Sequence, residues 1–244
     1  MRNLSLYAAA AAGVSCAGMS AAQTFTFDGI AHGEILSNQF APAMTMVGQN
    51  FNRGFDILAG FDTNLTGTSD PDLQGPPWSG GNLAISATET NLGTAVILAE
   101  NDLDVDGDGI LDDPDDEGSR PAGLMDLGFA SPIPVFGLDI IDIEGRVREF
   151  SSLDFYSGGA LVGTVTFEDF EDPSSPYFDP TVVFGNNTAN RISPIAATDF
   201  GVLGFDRVVI NIGGSSAYDT FVVPAPASAA VLGLSGLAAA RRRR

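Results

Sequence analysis

Carboxylates stand at alternate positions in Asp104-Val105-Asp106-Gly107-Asp108-Gly109, and Asp112 and Asp115 follow at spacings of four and three. Ca²⁺ takes six to eight oxygens at about 2.3–2.6 Å, so side chains this close along a chain reach one ion only if a glycine turns the backbone midway. Counted from Asp104, the acids occupy loop positions 1, 3, 5, 9 and 12, Gly109 falls at position 6, and Ile110 offers its carbonyl at position 7. A frame beginning at Asp102, with Gly107 sixth and Asp113 twelfth, is the alternative. Ten acids lie between Glu100 and Glu117 and repel one another unless a counter-ion joins them. Residues 102–117 therefore read as a calcium loop. It occurs once and has no helical pattern beside it, which points to ordering of a long connection and away from a helix-opening switch.

A second set of hard oxygen donors, Asp62, Asn64, Asp70 and Asp72, lies on one stretch. It fits either another calcium site or a series of turns in which Asp and Asn bond their own backbone. Asp219 interrupts an apolar run, where a carboxylate needs a partner, a hydrogen bond or a metal. Catalytic constellations are scarce. His32 is the only histidine and has no nucleophile motif beside it, and the only cysteine, Cys16, falls in the leader, so triad and zinc chemistry lack their residues. Paired carboxylates for glycoside hydrolysis stay open, because the separation of any two of the 31 acids is invisible in sequence. We read the chain as non-enzymatic, with no redox or nucleotide cofactor. Trp78 reads as a plug over the core, with a sugar-stacking platform as the alternative.

The elements that must position these residues are strands. Short apolar or alternating runs bounded by Gly, Pro, Asn and Asp occur at 23–27, 55–61, 83–87, 94–99, 124–129, 135–143, 150–156, 160–167, 181–184, 202–212 and 217–223. No amphipathic helical segment separates them, so the fold class is all-β, a single antiparallel β-sandwich. Alternation in 153–156 and 161–167 places Leu153, Phe155, Leu161, Val165 and Phe167 on one face. A hydrophobic content of 44% argues for a packed core despite the charge. Between Asp28 and Asp219 six arginines and no lysine stand against 31 acids, a surface that repels nucleic acid and attracts cations.

Both ends read as addresses. Residues 1–22 have a basic start, an apolar stretch and a small-residue cleavage site, the pattern of a secretory signal peptide, with a lipoprotein at Cys16 as the competing reading. The β-sandwich domain then covers 23–222, and 223–244 form a sorting or anchor segment. There a Pro-containing motif leads into an apolar run, and Arg241 to Arg244 hold the end on the cytoplasmic side of the inner membrane.

This tail resembles the PEP-CTERM sorting signal of bacterial surface proteins, although Ala225 stands where that motif has Glu. The resemblance implies an exosortase-type processing enzyme as partner and a final place at the cell surface or in the exopolysaccharide matrix. The Asp104 loop resembles the calcium loops of thrombospondin type 3 repeats and dockerins, which implies Ca²⁺. Phe27-Asp28-Gly29-Ile30, Asp70-Pro71-Asp72-Leu73, Pro114-Asp115-Asp116-Glu117 and Gly214-Ser215-Ser216-Ala217-Tyr218-Asp219 are similar to segments of PEP-CTERM surface proteins whose bodies look like carbohydrate-binding-module jelly rolls. That likeness implies a structural calcium shared by Asp28 and Asp219. The function expected is a calcium-stabilised structural or adhesive protein with an exopolysaccharide or surface glycan as partner. A lectin-like carbohydrate-binding module is the alternative, and a glycan-active hydrolase or lyase a more distant one.

Overall fold

The computed structural model describes residues 22–84, 90–144 and 149–224. The signal segment, the apolar run and the terminal arginines lie outside the described residues, as does most of the strand expected at 83–87. No helix among the described residues is long and apolar enough to cross a membrane.

Two antiparallel sheets make the body. One contains β1 (Ala22–Phe25), β3 (Leu58–Asp62), β4 (Thr94–Leu98), β6 (Val135–Ile141), β9 (Ala189–Ala196) and β11 (Ala217–Pro224). Its order is β3-β4-β11-β6-β9, and β1 pairs with the far half of β11. The other, in the order β2-β5-β10-β7-β8, contains β2 (Met44–Asn50), β5 (Gly123–Ile133), β7 (Ser152–Ser157), β8 (Ala160–Thr166) and β10 (Phe205–Ile212). Val223 and Pro224, expected in the sorting segment, belong to β11, where they pair with Gln23 and Ala22.

Side chains from both sheets meet in one core, with Phe136, Leu138, Tyr218 and Phe221 opposite Met125, Leu127, Phe155 and Ile210. A second apolar layer covers the outer face of the first sheet. Ala59, Phe61, Ala95, Ile97 and Ala217 there lie under Leu73, Trp78, Leu83, Leu92 and Leu111, which the connecting loops supply. This explains why β4 is apolar throughout and not alternating: Val96 and Leu98 face the core while Ala95 and Ile97 face the loops. The acidic loops are thus fastened to the sandwich by their leucines.

Several strands differ from expectation. β2 buries Met44 and Met46 and exposes Thr45 and Val47, an alternation that two methionines signal weakly. β9 contains Pro194 and is an edge strand, where a residue without N–H is tolerated, and its register with β6 shifts between Phe136 and Leu138. Residues 181–184 form no strand. The backbone of Val183 is bonded instead by the side chain of Asn190, which accepts from its N–H at 3.0 Å and donates to its carbonyl at 2.9 Å. A bulge between β7 and β8 puts Tyr156 opposite Leu161, so Leu161 is 54% exposed and not inward with Leu153, Phe155 and Val165.

Candidate metal centre

The connection after β4 holds Asp104, Asp106 and Asp108 so that each offers one oxygen within 4.8 Å of the other two. Local hydrogen bonds shape it. Asp104 Oδ1 accepts from the N–H groups of Gly107 (2.7 Å) and Asp108 (3.1 Å), and Oδ2 from Gly109 (3.0 Å). Asp106 accepts from Asp108 and Asp108 from Ile110. Gly109 has φ +86°, a left-handed turn at the position where such a loop needs one. Asp112 reaches back to the Val105 N–H at 2.6 Å. Ile110 bridges to Glu34 and Leu111 donates to the Gly33 carbonyl at 2.8 Å, which ties the loop to the sandwich.

Asp115 belongs elsewhere in space. Its carboxylate joins those of Asp70 and Asp116, again within 4.8 Å of one another. Asp116 is held beside the extension of β4 by a bridge to Ala99. Asp70 caps a 3-10 turn, Pro71–Leu73, through Oδ1 on the Asp72 N–H (3.1 Å), and buried Leu73 anchors that turn. Ser215, just before β11, places its hydroxyl 3.0 Å from both oxygens of Asp116 and 2.9 Å from Oδ2 of Asp142. Asp142 follows β6 with φ +65°, and its Oδ1 accepts from the Asn187 N–H at 2.6 Å. Burial is the first cause of raised carboxyl pKa values here: Asp70 to about 6, Asp142 to about 7 and Asp116 well above its usual range. The neighbouring acids add to each shift. The four described arginines are engaged with other acids: Arg53 with Glu100 and Glu117, Arg120 with Glu144 and Glu149, Arg191 with Asp139, and Arg207 with Asp126.

The remaining expected ligands fall outside these two groups of three, although Asp72 stands near enough to Asp70 and Asp142 to push both carboxyls up. Asp62 accepts from the backbone and side-chain amides of Asn64, the turn geometry that was its alternative reading. Asp72 accepts from the Asn186 side chain at 3.2 Å. Asp28 is exposed, its Oδ1 over Gly93, whereas Asp219 is buried and accepts from the Phe27 N–H (3.4 Å) and the Thr220 hydroxyl (2.8 Å). Asp219 sits where β11 changes partners from β4 to β1 and its register with β6 shifts. His32 Nδ1 accepts from the Asp62 N–H, and burial pushes its pKa down. Trp78 is buried, with its indole N–H on the Thr90 carbonyl at 2.9 Å.

Asp116, Asp142 and Ser215 were not among the expected ligands. A signal existed for Asp142, a carboxylate between Ile141 and Ile143, but nothing local links it to residue 215. No family model matches the chain, and no curated protein matches it either.

Proposed function

We propose that the chain is a secreted, calcium-stabilised structural or adhesive protein of the cell surface or exopolysaccharide matrix, with a jelly-roll-like body and a cleavable sorting tail. The observation that carries this reading is the Asp104 loop, where three carboxylates converge around backbone N–H groups and a left-handed Gly109. Every side-chain donor in it is a hard oxygen, the ligand type Ca²⁺ takes. The reading is non-enzymatic. Replacing Arg241 to Arg244 by Ser is expected to leave the fold intact, by circular dichroism, and to release the protein to the medium or stall its processing. Unchanged localisation would overturn the sorting part.

One observation favours the carbohydrate-binding alternative. A cleft of about 530 Å³ opens beside β9, lined by Phe170, Tyr177, Phe178 and Pro194 with Asp179 and Asp199. Aromatic faces flanked by polar groups suit a sugar ring. Asp179 caps Thr181 and Asp199 accepts from the Ala196 N–H, uses that do not favour a hydrolase or lyase. If the cleft binds glycan, a glycan array should give a signal that Tyr177→Ala removes. A signal indifferent to that change would place the ligand elsewhere, and none at all would leave the structural reading.

A further inference from the structure

We propose that Asp70, Asp115 and Asp116 form a second, buried divalent-cation site, separate from the Asp104 loop and flanked by Asp142 through Ser215. Its ion would draw together two acidic loops and the strand ends at β6 and β11.

Asp70 is only 6% exposed; its Oδ1 takes the Asp72 N–H, but its Oδ2 is buried without a hydrogen-bond partner among the described residues. A buried carboxylate oxygen left alone is costly, and the carboxylates grouped with it, Asp115 and Asp116, are acceptors too. Ser215 cannot resolve this. It has a single hydroxyl hydrogen, yet three carboxylate oxygens of Asp116 and Asp142 lie at 2.9–3.0 Å from it. Donors are short and negative charge is in excess, so the missing partner is a cation. Its class follows from the ligands, all carboxylates with neither His nor Cys, which select a hard ion. One oxygen from each carboxylate lies within 4.8 Å of the other two, close enough for a single ion, since opposed ligands around Ca²⁺ stand roughly 5 Å apart.

The placement gives the ion a job that the Asp104 loop does not have. Asp70 comes from the connection between β3 and β4, Asp115 and Asp116 from that between β4 and β5, and Ser215 and Asp142 from the ends of β11 and β6. Ser69 already links the two connections through its hydroxyl on Asp113 at 2.6 Å. One cation here would lock the outer loop layer to the sheet.

The proposal shares its class of ion with the calcium reading above, and the test separates them. Calorimetric titration of chelator-stripped full chain with CaCl₂ is expected to count two ions. Asp104→Ala/Asp108→Ala is expected to keep one, and adding Asp116→Asn is expected to weaken that one about tenfold or more. Asp70→Asn in the same background is a second near-isosteric variant with the same expected loss. Circular dichroism of each variant guards against unfolding. Retention of one tight ion in both added variants would overturn the buried site. So would loss of all binding in Asp104→Ala/Asp108→Ala, which leaves the Asp104 loop standing. No binding by the parent chain would overturn both readings.

Discussion

Stripped of divalent cations, the protein is expected to become more stable as pH falls from about 8 to about 5. Five buried carboxyls carry raised pKa values, first through burial: Asp70 and Asp219 to about 6, Asp142 and Glu149 to about 7, and Asp116 well above the usual carboxylate range. In this range these five carboxyls take up more protons in the folded state than in the unfolded chain, where carboxyls titrate near 4. They outnumber the one opposing group among the described residues, His32, whose pKa burial lowers, so stability falls as pH rises through the folded carboxyl values. The stabilising protonation is complete below about pH 4, where lowered groups such as Glu117, held down by Arg53 and Ser119 against its own burial, begin to oppose it. Each pKa unit corresponds to about 1.4 kcal/mol, so several such groups amount to a few kcal/mol, and each kcal/mol moves the melting temperature by roughly 2–4 °C.

Calcium is expected to reverse this profile. It binds the deprotonated carboxylates, so protons compete with it, and at 100 times Kd each site adds about 2.7 kcal/mol. The melting temperature gained from saturating Ca²⁺ should be greatest at pH 8 and shrink toward pH 5. Melts in chelator and in CaCl₂ across that range check this, and two parallel curves would refute it.

The second large effect is expected at Arg191. Its guanidinium forks onto Asp139, Nε to Oδ1 at 2.8 Å and Nη2 to Oδ2 at 2.7 Å, and the Asp139 side chain is fully buried. Asp139 also lies opposite Asp219 in the β6–β11 register, so one arginine offsets two buried acids of the central strands. Removing one partner of a buried pair typically costs about 3–5 kcal/mol. Because half of the Arg191 side chain is in water, we take the lower end, about 3 kcal/mol, for Arg191→Ala. Adding Asp139→Asn should restore most of it, since the stranded charge goes. Denaturant melts of the single and double variants decide the matter. A loss under about 1 kcal/mol, or no recovery in the double variant, would show that water reaches Asp139.

What could be read along the chain was whatever depends on near neighbours. The strands β7 and β8 follow from alternation in 153–156 and 161–167, β4 from an unbroken apolar run, and the convergence of Asp104, Asp106 and Asp108 from a spacing of two with Gly109 after them. The all-β class follows from the repeated turn residues between such runs. Where neighbours did not suffice, tertiary structure decided. Pro194 obscured β9, whose place at a sheet edge makes the proline tolerable, and one bulge turned Leu161 outward against its own alternation. Asp115 has a position in the count from Asp104, yet its carboxylate joins Asp70 and Asp116. Asp142 and Ser215 are 73 residues apart and meet only because β6 and β11 are paired. A local loop is dictated by its own spacing and turn residues, whereas a site assembled from several strand ends exists only after the sheets have chosen their partners and register.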